Sequence, residues 1–180
     1  MFKLLKIVFM TKYNKILGML AVLGLSAITI YAQEQGVVIN GVTWATRNVG
    51  AHGNFVTSAE NYGEFYTWYE AQNVCPAGWR LPTKEELQSL IDAGGNKTRV
   101  KKVNGLVFGS KNNAIFLPAA GLCDSDNAIF GKRFFYTYWS STSKDDNSAW
   151  TLFSFGREKY MNFLGYRSVL DKSCIRCVAE

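Results

Sequence analysis

All four cysteines of this 180-residue chain, Cys75, Cys123, Cys174 and Cys177, follow a leader of export type. No other feature constrains the fold as much. Lys3, Lys6, Lys12 and Lys15 form a basic head without an acid, the apolar run Ile16 to Ile30 follows, and Ala32 offers a small residue for cleavage. This order predicts a secretory signal peptide over residues 1–32. The apolar run has 15 residues, short of the about 20 a helical span needs, so no membrane span is expected after leader removal. No cysteine directly follows the run, which argues against lipid attachment there. An exported chain is oxidised, and an even cysteine count predicts two long-range disulfides, drawn from three possible pairings.

Cys174-Ile-Arg-Cys177 is a C-x-x-C spacing, which can mean a redox dithiol or half a zinc site. A zinc site wants a second ligand pair, but Cys75 and Cys123 are isolated and His52 is the sole histidine. Residues three apart on a strand point to opposite faces, so Cys174 and Cys177 are not expected to bond each other.

The formal charge of the whole chain is +6, but four of its positive groups sit in the leader, leaving residues 33–180 at +2. Nucleic-acid binding needs a clustered basic face, so no nucleic-acid partner is expected. Residues 33–180 suit one domain with a sizeable core. Aromatics at 14% and charged residues at 19% exclude disorder.

Val37-Val38-Ile39-Asn40-Gly41-Val42-Thr43-Trp44 predicts a tight hairpin around Asn-Gly. Tyr62, Phe65, Tyr66 and Tyr69, with Trp68 and Ala71, fall at helical spacing and predict a helix ending near Cys75-Pro76. Thr83 and Glu86 form the S/T-x-x-E capping box of a second helix, whose apolar face is Leu87, Leu90 and Ile91. Glu86 is thus read as a capping partner and Glu85 as a dipole residue, not as an acid/base pair. Lys97 to Lys102 reads as a solvated loop. Leu106–Phe108, Ala114–Gly121, Tyr138–Ser141, Ala149–Phe155, Tyr160–Tyr166 and Ser173–Val178 read as strands. Helices first and an antiparallel sheet afterwards predict an α+β domain.

The run Tyr66-Thr-Trp-Tyr-Glu-Ala-Gln-Asn-Val-Cys75-Pro-Ala-Gly-Trp-Arg-Leu-Pro-Thr83 recurs in order with Tyr138-Trp-Ser-Ser-Thr142, Ala149-Trp150 and Ile175-Arg-Cys-Val178. Together these resemble the Fibrobacter succinogenes major paralogous domain, a family frequent in exported proteins of Bacteroidetes-type bacteria. The resemblance runs from about Val38 to Val178. That domain is similar in turn to the C-type lectin-like fold, with Trp68, Ala71, Cys75, Gly78, Leu81 and Glu86 in matching places. The resemblance implies two short helices packed on a mainly antiparallel twisted sheet with long loops. It also implies a Cys75–Cys177 disulfide, leaving Cys123 and Cys174 to pair.

Three functional classes compete. Gly-Trp-Arg-Leu-Pro-Thr also looks like the formylglycine-generating enzymes, but their chemistry needs reactive cysteines and metal in a larger domain. The lone His52 permits no useful Ser/His/Asp set, and neither G-x-S-x-G nor H-E-x-x-H occurs, so no enzyme and no cofactor are expected. A calcium-dependent carbohydrate-binding lectin is the alternative reading. Lectins of that kind carry Glu-Pro-Asn or Gln-Pro-Asp with Trp-Asn-Asp, all absent here. The oxygen-rich clusters Asp124-Ser-Asp126-Asn127 and Asp145-Asp146-Asn147 lack the Gly and distal Glu of an EF-hand loop and read as plain turns.

The favoured expectation is a metal-independent binding or adhesion module, secreted, periplasmic or at the cell surface, that recognises a glycan or a surface protein. Similar lectin-like domains place ligand contacts on their late strands and loops. The corresponding residues here are Asp145, Asn147, Arg157, Tyr160, Asn162, Tyr166 and Arg167. Tyr and Arg are favoured where proteins bind proteins or sugars.

Overall fold

The computed structural model describes residues 34–110, 112–155 and 162–180. The leader, Arg157 and Tyr160 lie outside the described residues. No described helix is long and apolar enough to cross a membrane.

The first hairpin forms as the sequence predicts. Strands β1 (Gly36–Ile39) and β2 (Val42–Ala45) pair antiparallel with Ile39 opposite Val42. Asn40 and Gly41 take φ of 47° and 80°, the left-handed pair a two-residue primed turn requires. The last strand, β14 (Val178–Ala179), inserts between β2 and β4 (Trp79–Arg80), giving the order β1-β2-β14-β4.

The expected α+β, C-type lectin-like arrangement of two helices on one sheet is overturned. Among the described residues, fourteen strands form four antiparallel sheets, and the α-helices have only four and nine residues. The aromatic spacing from Tyr62 misled because those rings serve a loop and a strand. Tyr66 and Thr67 form β3, and the Thr67 hydroxyl accepts the Glu70 N–H. That capping box holds the start of helix α1 (Trp68–Ala71) at Trp68, so no helix extends back to Tyr62. The supposed loop of residues 97–102 contributes instead to β5 (Gly95–Val100), the edge of a sheet with β6 (Val103–Ser110) and β7 (Asn113–Pro118). Its charged residues read as loop because an edge strand need not alternate.

The third sheet has the order β3-β13-β8-β9, with β8 (Leu122–Cys123), β9 (Ile129–Phe130) and β13 (Lys172–Ser173). The stretch Ser173–Val178, expected as one strand, is split between β13 and β14. Between them the chain bonds sideways, with the Ile175 carbonyl accepting the Val49 N–H and the Cys177 carbonyl accepting the Ala45 N–H. The fourth sheet is a meander of β10 (Phe135–Asp145), β11 (Ser148–Phe155) and β12 (Asn162–Ser168).

Helix α2 (Lys84–Asp92) starts where the capping box places it. Thr83 Oγ1 accepts the Glu86 N–H, and Glu86 returns a carboxylate to the Thr83 N–H at 2.7 Å. Arg80 grips the same carboxylate at 2.7 and 2.8 Å, and that pairing, more than the capping bond, holds the Glu86 carboxyl below its usual range.

β10 separates two cores. Tyr136 and Tyr138 point into one with Trp44, Leu87, Leu90, Leu106, Phe108, Leu117 and Leu152, whereas Trp139 points into the other with Leu81, Ile175 and Cys177. Arg176 is buried between the chain segments that meet here. Its guanidinium donates to Asn48 Oδ1 at 2.6 and 3.0 Å and to the Ala45 and Phe116 carbonyls, both at 2.9 Å. Burial lowers its pKa to about 10, yet every contact is with an oxygen acceptor.

Cys75 and Cys177 form a disulfide that closes a 102-residue separation. The expected second bond is not made, and Cys123 and Cys174 are buried free thiols. Cys123 faces Lys172 across the ladder, so Cys174 lies diagonally from it, two residues beyond Lys172. Diagonal Cα atoms are about 7–8 Å apart, outside ordinary disulfide reach. Each thiol donates instead to a carbonyl, Cys123 to Asp124 and Cys174 to Tyr62.

Candidate functional site

The late meander carries most of the residues expected to bind ligand, and its register sorts them. Trp150 faces Tyr166 across β11 and β12, and Ala149 faces Arg167, so Tyr166 and Arg167 lie on opposite sides of the sheet.

On Tyr166's side, the rings of Trp150 and Tyr166 meet edge to face at 6.2 Å. Tyr166 is 60% exposed. Two ammonium groups cover the pair, Lys84 at 4.2 Å from the Trp150 ring and Lys144 at 4.2 Å from the Tyr166 ring. Lys84 is the first residue of α2, and its N–H is held by Thr142 Oγ1 at 3.0 Å. The capping box therefore does more than start a helix: it sets a cation over the tryptophan. Beside the pair runs an open groove of about 290 Å³, lined by Lys84, Glu85, Gln88, Ser89, Asp92 and Leu164. Leu164 follows the same strand parity as Tyr166 and supplies the apolar floor.

Asp145 organises the β10–β11 turn. Its carboxylate accepts the Asn147 N–H and the Lys144 ammonium, each at 3.0 Å. Hydrogen bonds from Ser148, then Lys144 and the Asn147 N–H, pull its pKa down to about 2. The Asn147 carbonyl accepts the Val169 N–H at 3.0 Å, tying the turn to the chain beyond β12. The Asp124 carboxylate does similar work between β8 and β9, accepting the Asp126 and Ala128 N–H groups at 3.0 and 2.8 Å. Both oxygen-rich clusters are thus engaged in turns.

Arg167 is directed away from the ring pair. It donates to the Cys123 carbonyl at 2.9 Å and pairs with Asp171 at 3.0 Å, with its side chain 12% exposed. Asn162 opens β12 opposite Ser154. The structure thus gathers Tyr166 and Asp145 with Lys144, and leaves Arg167 on the far face. Trp150, Lys84, Lys144 and the polar face of α2 were missed as site residues. The alternation of Trp150 with Leu152, matched to Leu164 with Tyr166, was the available signal, but it needs the pairing register to be read.

The Fibrobacter succinogenes major domain family model matches residues 32–179. No curated protein and no solved structure matches the chain.

Proposed function

The chain belongs to the Fibrobacter succinogenes major domain family, and from that premise we propose that it is an exported, metal-independent binding module rather than an enzyme. The ligand surface is the Trp150–Tyr166 pair with its two covering lysines and the groove along α2. The ring pair is the observation that carries this reading. An aromatic face beside amide, hydroxyl and carboxylate groups suits a carbohydrate, whose ring has an apolar C–H face and an equatorial rim of hydroxyls. Gln88, Ser89 and Asp92 supply that polar complement. A protein partner is the other occupant such a surface serves, since Tyr and Trp anchors also dominate protein interfaces.

The leader pattern and the Cys75–Cys177 disulfide support export. The engagement of Asp124 and Asp145 in turns supports binding without calcium. The test is a glycan-array screen of the purified protein, followed by titration of the best ligand in excess EDTA. Unchanged affinity in EDTA and a clear loss in Tyr166→Ala and Lys84→Ala are expected. Binding that collapses in EDTA, or that ignores both substitutions, would overturn the proposal.

A further inference from the structure

A second concave surface lies away from the aromatic pair, between edge strand β5 and the turn that enters β10. It is an open groove of about 360 Å³ lined by Lys97, Arg99, Asn104, Arg133, Phe134 and Tyr136. Among the described residues, no carboxylate lines it.

The placement of its cations is unusual. Lys97 pairs in register with Leu106 and Arg99 with Asn104, and Leu106 in turn faces Leu117. Lys97 and Arg99 therefore share a sheet face with buried Leu106, Phe108, Ile115 and Leu117. β5 runs past the edge of that core, so its two cations overhang from the apolar side of the sheet.

The opposite wall is fixed by its backbone. Arg133 sits at φ 76°, its N–H donating to Ala119 at 3.0 Å and its carbonyl accepting Asn104 Nδ2 at 3.1 Å. A bulky residue in the left-handed region costs free energy, and these bonds hold it there. Phe134 follows with 42% of its surface exposed.

The arginines also differ in what they bond. Among the described residues, Arg47, Arg80 and Arg167 each pair with a carboxylate, and Arg176 is filled by buried oxygens. Arg99 and Arg133 make no ion pair and no side-chain hydrogen bond with any described residue.

We propose that this groove is a binding site for an acidic sugar unit, one carrying a carboxylate or a sulfate ester. Two guanidiniums offer fork-shaped donors that match either anion, and Lys97 adds a third positive charge. The exposed Phe134 ring gives the C–H face of the sugar an apolar surface to cover. The low net charge of residues 33–180 and the small size of the groove fit a single acidic unit rather than a long polyanion.

The experiment is NMR titration of the full purified protein with glucuronic acid, a 6-sulfated N-acetylglucosamine, neutral N-acetylglucosamine and inorganic sulfate. Saturable shifts centred on Arg99, Arg133 and Phe134 are expected with an acidic sugar. The neutral sugar should leave them unmoved, and inorganic sulfate should bind more weakly. The carboxylate and sulfate arms tell which anion is preferred. Arg99→Gln/Arg133→Gln should weaken binding about tenfold or more, while Arg99→Lys/Arg133→Lys retains part of it.

Failure of both acidic sugars to shift these residues would overturn the proposal. So would equal binding of inorganic sulfate, or unchanged affinity in the glutamine variant. Edge cations also deter strand-to-strand association, and a glutamine variant that oligomerises with unchanged affinity would assign them that role instead. Tyr166→Ala should leave the titration intact, so failure here and failure at the ring pair are separable.

Discussion

The buried junction around Arg176 and the ring pair around Tyr166 are both built from aromatic and basic residues, yet they do opposite things. At the junction the buried Arg176 guanidinium meets only oxygen acceptors, and the disulfide pins the C-terminal segment to the chain after α1. At the ring pair the cations lie over a half-buried Trp150 and an exposed Tyr166, beside an open groove. The same residue types therefore contribute stability where their donors are satisfied internally, and are proposed to serve binding where they border an open groove. The difference lies in what surrounds them, not in their chemistry.

Substitutions should separate the two regions. The largest loss of stability is expected for Cys75→Ser/Cys177→Ser, about 4–5 kcal/mol for a closed loop of roughly 100 residues in the chain-entropy model. Urea unfolding measures it, and a loss under 1 kcal/mol would mean the C-terminal segment is anchored mainly by packing. Arg176→Leu should cost about 3–5 kcal/mol, because Asn48 Oδ1 and the Ala45 and Phe116 carbonyls are left buried without a donor. A near-neutral result would break the comparison, since it would make the junction no more demanding than the surface.

The buried thiol at the junction gives a pH signature. Burial raises Cys174 from 9.0 to about 12, so between those values the unfolded chain has released a proton that the fold retains. Stability from this group is intact below pH 9 and falls as pH rises, by at most about 1.4 kcal/mol per pH unit. Cys174→Ala should flatten that part of the slope in denaturation curves between pH 8 and 10, and an identical slope would refute the assignment.

Thr83→Ala sits between the regions, because it starts α2 and so places Lys84. A loss of about 0.5–2 kcal/mol is expected from the cap, accompanied by weaker ligand binding as Lys84 shifts on Trp150. Stability loss alone, with binding intact, would show that the cation over the ring contributes nothing. The smallest stability effect, under about 1 kcal/mol, belongs to Tyr166→Ala, whose ring is mostly in solvent. A larger drop in melting temperature would place Tyr166 with the core.

Local signals were legible residue by residue. Asn40-Gly41 specified its turn because only a few residue types tolerate two left-handed conformations in succession. Thr83 and Glu86 specified a helix start because a capping box is closed within four residues. The resemblance placed Cys75 with Cys177 correctly. The same S/T-x-x-E spacing at Thr67 and Glu70 was overlooked beneath the aromatic periodicity, and reading it would have shortened the first helix.

These short-range devices and the family are readable without coordinates, since each is written within one contiguous stretch or a fixed order of stretches. The tertiary structure alone decided the division into four sheets, the diagonal offset that keeps Cys123 and Cys174 apart, and the faces to which Tyr166 and Arg167 turn. Those depend on strand register between segments tens of residues apart. A shift of one residue in register reverses every side chain on a strand, and no local pattern carries that information.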